Sequence, residues 1–206
     1  MSDVEREIRT PFMIIVSGLP GAGKTYLANK LSRLLGIVHI DYDTVCEPFL
    51  MKIKKMNEPI ESLESFYRTY RDVCYESILS IVVDNLRNGI SVIASAPFSK
   101  EVQCPDFFKS FAHQHTLSMI SISIHLMPDK NLLLHNMLRR DSYRDVEKIE
   151  KWEHFYQKKP SSAVSWDADY QCLPDCSGSI SVYDQVVSFL TKYAILEAKD
   201  EHTRSI

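Results

Sequence analysis

The sequence predicts an α/β fold in which a mainly parallel sheet is covered by helices on both faces. Short β-branched runs alternate with amphipathic segments along the 206 residues, and the first of them leads into Gly18-Leu19-Pro20-Gly21-Ala22-Gly23-Lys24-Thr25. This octet fits the phosphate-loop template G-x-x-x-x-G-K-[ST] at every fixed position, and a segment of helical period follows it. The glycines permit a tight turn that points successive N–H groups at an anionic phosphate. Lys24 is placed to reach the β/γ oxygens, and the Thr25 hydroxyl is suited to ligate Mg²⁺. A helix starting at the loop also aims its free N–H groups and positive dipole end at the phosphates. The eight residues therefore predict a nucleotide binder.

Phe12-Met13-Ile14-Ile15-Val16 reads as a buried strand, and Lys24 to Leu35 as a helix with Leu27, Ala28, Leu31, Leu34 and Leu35 at helical spacing. Ile37 to Ile40 is a second strand ending at Asp41, and helical character follows from Val45 to Met56. From Ser62 a three-to-four period predicts one long helix, stopped by Asn88-Gly89. Ile90 to Ala94 reads as the third strand and Ala96-Pro97-Phe98-Ser99 as a loop; Pro105 then fits the first turn of a helix holding Phe107, Phe108 and Phe111. Met119 to Leu126 is the fourth strand, and Pro128-Asp129 opens a helix that runs into a charge-dense stretch, Arg139 to Lys159. A fifth strand is predicted near Tyr170 to Leu173. Ser181-Val182-Tyr183-Asp184 reads as a capping box opening a last helix to about Leu196, with a polar tail from Lys199. Ligands in such sheets sit at the carboxyl ends of the strands. Gly18–Thr25, Asp41–Asp43, Ser95–Ser99 and Met127–Asp129 are thus expected to rim one site.

Asp41 and Asp43 are the carboxylates expected nearest the γ-phosphate. One can support Mg²⁺ through its water shell; the other can orient an attacking hydroxyl or accept its proton. On an extended backbone the two would point the same way. Arg139, Arg140 and Arg144 belong to a basic lid at about 139–160, where guanidinium groups match spreading phosphoryl charge. Val146, Ile149, Trp152, Phe155 and Tyr156 have near-helical spacing and predict a helical flap. Arg68 and Arg71 stand among Phe66, Tyr67 and Tyr70, either as a site for a ring or an anionic group or as core with a solvated edge. The histidines offer no HExxH or matching ligand set.

A chain of this length with 45% hydrophobic residues is enough for one substantial core, so a single domain over 1–206 is expected. Its net charge of −3 argues against a general nucleic-acid surface. Five cysteines, an odd number without a second CxxC-like pair beside Cys172 and Cys176, predict free thiols in a reducing cytoplasm. No run approaches the length of a membrane span.

On the phosphate loop, Asp41-Tyr42-Asp43 and the run Leu138-Arg139-Arg140 through Arg144, the chain resembles the small P-loop kinases, the ATP-binding group with chloramphenicol phosphotransferase-, gluconate kinase- and shikimate kinase-like enzymes. The resemblance implies a five-stranded parallel sheet in order 2-3-1-4-5, a substrate-binding helical segment after strand two (about 44–75), an arginine lid, and transfer of the ATP γ-phosphate to a small-molecule hydroxyl. In that reading Lys24, Asp43 and Arg144 are catalytic, Gly18 to Thr25 and Arg140 bind nucleotide, and Thr25 and Asp41 serve Mg²⁺. Two departures stand out: Ser95-Ala96-Pro97-Phe98 replaces the acidic residue common at the end of strand three, and Thr44-Val45-Cys46-Glu47 lacks the arginine common after strand two. The competing readings are a nucleotide-dependent regulatory switch and a polynucleotide 5′-kinase; the missing arginine and the acidic charge oppose the second.

Overall fold

The computed structural model describes residues 10–57, 59, 62–157, 164–193 and 195. Five strands, β1 (Phe12–Gly18), β2 (Val38–Asp41), β3 (Val92–Ser95), β4 (Ile120–Leu126) and β5 (Tyr170–Cys172), form one sheet in the order β2-β3-β1-β4-β5. Every pairing is parallel, with Ile14 opposite both Ile93 and Ile122. The helices are α1 (Lys24–Leu35), α2 (Tyr42–Met56), α3 (Leu63–Arg87), α4 (Phe107–His115), α5 (Lys130–Arg140), α6 (Val146–Glu150), α7 (Trp152–Gln157) and α8 (Val182–Lys192).

The continuous apolar run of β1 follows from burial on both faces. Met13 and Ile15 pack with α2, α3, α4 and Trp166, while Ile14 and Val16 pack with α1 and α8. In β4, Ile122 and Ile124 face the α1 side, which leaves Ser121 and Ser123 buried opposite. Their hydroxyls are matched: Trp166 Nε1 donates to Ser123 at 2.8 Å, and Ser121 donates to Asp169 at 2.7 Å. A third cluster, Leu133, Met137 and Trp152 with Leu19 and Ala22, seats α7 on α5 and on the phosphate loop.

Several boundaries differ from expectation. Helix α2 starts at Tyr42, three residues early, because Asp41 accepts the Thr44 N–H and caps it. Asp43 therefore lies in the first helical turn, and the extended-backbone alignment of the two aspartates does not exist. Strand β3 starts at Val92, since the Ile90 N–H closes the end of α3 on Asn85 O. Pro105 precedes α4 instead of entering it; the Phe108 and Lys109 N–H groups are capped by Asp167, distant in sequence. The helical flap is broken: α5 ends at Asp141 with φ 47°, a 3₁₀ turn spans Tyr143–Asp145, and two short helices follow. Residues 158–160 of the expected lid and the tail from Lys199 lie outside the described residues. The Ser181 cap is present, with the Asp184 N–H donating to its hydroxyl at 3.1 Å, but α8 ends at Lys192.

Candidate active site

The carboxyl ends of β1, β2 and β3 open into a cleft of about 890 Å³. Met127–Asp129 do not line it, contrary to expectation; Asp129 instead caps α5 through the Asn131 and Leu132 N–H groups. Pro20, Gly21, Gly23, Lys24 and Thr25 form one wall. Leu19 and Ala22 turn to the α5 cluster. Gly18 and Gly21 are required by shape. At φ 137° a Cβ on Gly18 would meet Leu126 O at 2.4 Å, and at φ 81° one on Gly21 would meet Leu133 O at 2.8 Å. Asn136 ties α5 to the loop by donating to Gly21 O at 2.9 Å.

Lys24 donates to Leu19 O at 2.9 Å. Burial lowers its pKa to about 8; Asp43 opposes this, Arg140 adds to it, and Asp41 and Lys148 follow with opposite signs. Five charged groups thus bear on one another around the loop.

Asp41 accepts from Thr25 at 2.9 Å and Ser95 at 2.8 Å on one oxygen, and from the Thr44 N–H and hydroxyl on the other. Burial would raise its pKa, but the hydrogen bonds from Ser95, Thr44 and Thr25 outweigh it and hold the carboxyl below its usual range. Ser95, which replaces the expected acid, is in turn held by His39 Nε2 at 2.8 Å. The donor set is all oxygen, as Mg²⁺ prefers. Thr25 gives its proton to Asp41, which leaves its lone pairs for a cation, so these residues fit the ion with Asp41 behind the first ligand. Among the described residues no group of three His, Cys, Asp or Glu forms a metal centre of its own. Cys46, Cys74, Cys104, Cys172 and Cys176 are free thiols.

Asp43 is gripped by Arg144 through NH1 and through NH2 at 3.0 Å. Arg144 NH1 also reaches Glu47 at 3.4 Å, one helical turn along α2. The other Glu47 oxygen accepts from Tyr67 at 3.0 Å and from Tyr143, and the two tyrosine hydroxyls lie 2.6 Å apart. An arginine thus stands beside the carboxylates of α2 although none occupies the local sequence; it arrives from the lid. Arg140 is brought to the same cleft and binds Asp145 through Nε at 3.0 Å and NH2; Arg139 lines the cleft as well.

The opposite wall carries Tyr67, Arg68, Arg71, Tyr75 and Ser99. Arg71 donates twice to Glu101, at 2.7 and 3.0 Å, and its guanidinium lies 4.0 Å over the Tyr75 ring. The aromatic segment is split: Phe66 is core, with Tyr70 packed against it, whereas Tyr67, Arg68 and Arg71 face the cleft. Ser95 and Ser99 line the cleft as the expected rim 95–99 requires, whereas Asn136, Tyr143, Asp145, Lys148 and Glu47 carry no role in the sequence expectation. For Lys148 a signal existed in its i,i+3 spacing from Asp145; the others have no local mark.

A parallel sheet in this order, a phosphate loop after β1 and basic residues over the cleft define a P-loop nucleotide-binding protein with the fold of the small-molecule kinases. The AAA domain family model matches residues 13–154, and the chain belongs to that family. Among solved structures it is similar to a Chloroflexus aurantiacus protein assigned as a kinase, with 17% identity, TM-score 0.64 and coverage of 91% of this chain and 97% of that one. A gluconokinase from Sinorhizobium meliloti 1021 matches at 15% identity and TM-score 0.52, covering 94% and 99% of the two chains. The APS kinase of Mycobacterium tuberculosis, in complex with AMPPNP and APS, matches at 17% and 0.52, covering 88% and 98%. At these identities the likeness is one of fold. No curated protein matches by sequence.

Proposed function

We propose that this protein is a Mg-ATP-dependent kinase that transfers the γ-phosphate to a hydroxyl group of a small molecule, a metabolite or an antibiotic. The observation that carries the reading is the position of Asp43 in one cleft shared by the phosphate loop and the wall of Tyr67, Arg68 and Arg71. Asp43 bears on Lys24 from one side and shares Arg144 with Glu47, which Tyr67 holds, on the other. A switch that only binds and hydrolyses nucleotide has no use for such a second wall.

In this mechanism the backbone of Gly18 to Gly23 and the Lys24 ammonium hold the β- and γ-phosphates. Thr25, with Asp41 behind it, would hold Mg²⁺, which would supply charge compensation to the phosphates when bound. The acceptor oxygen attacks the γ-phosphorus, its proton passes to Asp43, and the bond to the β,γ-bridging oxygen breaks to release ADP. A phosphoryl group in the cleft competes with Asp43 for Arg144, which frees a carboxylate oxygen to orient the hydroxyl. Arg140 and Arg144 then compensate the charge that spreads over the transferred group.

The chain acts in this reading as one catalytic unit, with residues 139–160 as lid and 44–75 as substrate segment, in the cytoplasm. Five free thiols fit that setting, and among the described residues no helix is long and apolar enough to cross a membrane. The test is a mass-spectrometric screen for phosphorylated products with Mg-ATP and a panel of sugars, sugar acids, nucleosides, and aminoglycoside and phenicol antibiotics. A product with saturable, acceptor-dependent ADP release is expected. ADP release indifferent to every acceptor would favour the switch.

A further inference from the structure

Asp145 has no solvent exposure and yet lines the cleft that is read as the phosphate site. A carboxylate there repels phosphate directly, and a buried charge is tolerated only when it is paired. Its pairing is complete. One oxygen accepts from Arg140 through Nε and NH2, and the other accepts from Lys148 at 3.3 Å. Both cations line the same cleft and lie near enough to Lys24 to lower its pKa. Without an anion between them, three cations would repel one another around the loop. The two bonds to Arg140 use one edge of the guanidinium, so NH1 stays available to a phosphate oxygen.

We propose that Asp145 is a positioning residue of the phosphate site: it orders Arg140 and Lys148 as a pair facing the polyphosphate and acts on the nucleotide only through them. This rests on the nucleotide-binding reading of the cleft. Its place is the 3₁₀ turn that interrupts the lid, between the end of α5 and the start of α6, so one carboxylate links the cation of each. The proposal also has a pH signature. Burial lowers the pKa of Lys148, Asp145 counters this by charge and hydrogen bond, and the facing groups Arg144 and Arg140 add to the lowering. Lys24 is the further cation across the cleft. Neutralising Asp145 removes the one anion on that list, so Lys148 would lose its proton at a lower pH than in the parent protein.

The experiment measures Mg-ADP affinity by calorimetry at pH 7 and pH 9 for the parent, Asp145→Asn, Lys148→Met and the double variant, with thermal melts of each. Asp145→Asn is expected to weaken binding roughly tenfold at pH 7, the scale of one lost charge-assisted contact, and by more at pH 9. Lys148→Met should cost much less in the Asp145→Asn background than alone. An equal loss at both pH values with additive variants, or no loss at all, overturns the proposal while parent binding keeps the nucleotide reading intact. A parent protein that does not bind Mg-ADP overturns both. Where Asp145→Asn does not fold, Arg140→Lys decides: it keeps the charge and loses the two-nitrogen grip, so several-fold weaker binding is expected and unchanged affinity overturns the proposal.

Discussion

The phosphate-loop end of the cleft is built from eight consecutive residues and is largely backbone, whereas the end proposed here for the acceptor is built from side chains that come from distant parts of the chain. Gly18 and Gly21 shape the first by approaching Leu126 and Leu133 too closely for any side chain. The second is held by Asp43 with Arg144, Glu47 with Tyr67 and Tyr143, and Arg71 with Glu101, pairs that lie between 20 and 101 residues apart. A local backbone nest is specified by a short motif and tolerates little change. A network of long-range ion pairs can be retuned one residue at a time, which would suit the end that, in the proposed reaction, distinguishes acceptors.

Substitutions at the two ends should therefore fail differently. The largest effect is expected for Lys24→Ala, with transfer down roughly 10³-fold and an unchanged melt, because the ammonium serves phosphate and not the core. Turnover and melting on one sample check this, and normal turnover in the folded variant would remove the loop assignment. Arg144→Ala should follow at roughly 10²-fold in turnover with ADP affinity nearly intact, since this arginine matters most when γ-phosphate charge is redistributed. A normal rate would shift the lid role to Arg139 or Arg140.

Asp41→Asn should raise the Mg²⁺ concentration for half-maximal rate by about tenfold, through the lost charge behind Thr25. It should also cost about 1 kcal/mol of stability through the weakened cap of α2. A Mg²⁺ titration and a denaturant midpoint separate the two. A further effect concerns pH. The Lys24 pKa, lowered to about 8, means that the free protein carries the ammonium below pH 8 and loses it above. The second-order rate constant with Mg-ATP should fall about tenfold for each pH unit above that point. A flat profile to pH 9.5 would show that the ammonium is not needed.

What was legible in the sequence follows the same division. The sheet and its helices could be read because apolar period is a local property, and the strand order followed from the resemblance. The loop was readable for the same reason. Asp41 and Thr44 stand at N-cap spacing, but Asp41 also ends β2, so a strand-end aspartate and the cap of α2 look alike in sequence. Val146, Ile149, Trp152, Phe155 and Tyr156 keep a near-helical period that predicts a helical flap, while the left-handed turn at Asp141 and the break between α6 and α7 leave no apolar mark. Asp145 was invisible for a deeper reason. Burial decides its role, and nothing in Tyr143-Arg144-Asp145 says which of three polar residues the fold encloses.

If Asp43 joins the two ends of the cleft as proposed, single-turnover chemistry with Asp43→Asn shows it most directly. The exchange keeps the size of the side chain and removes its charge. With Mg-ATP and the acceptor identified by the screen, the variant is expected to bind Mg-ATP within about twofold of the parent while transferring phosphate roughly 10²-fold more slowly. Full transfer by the folded variant, or a loss of nucleotide affinity equal to the loss of rate, would contradict it.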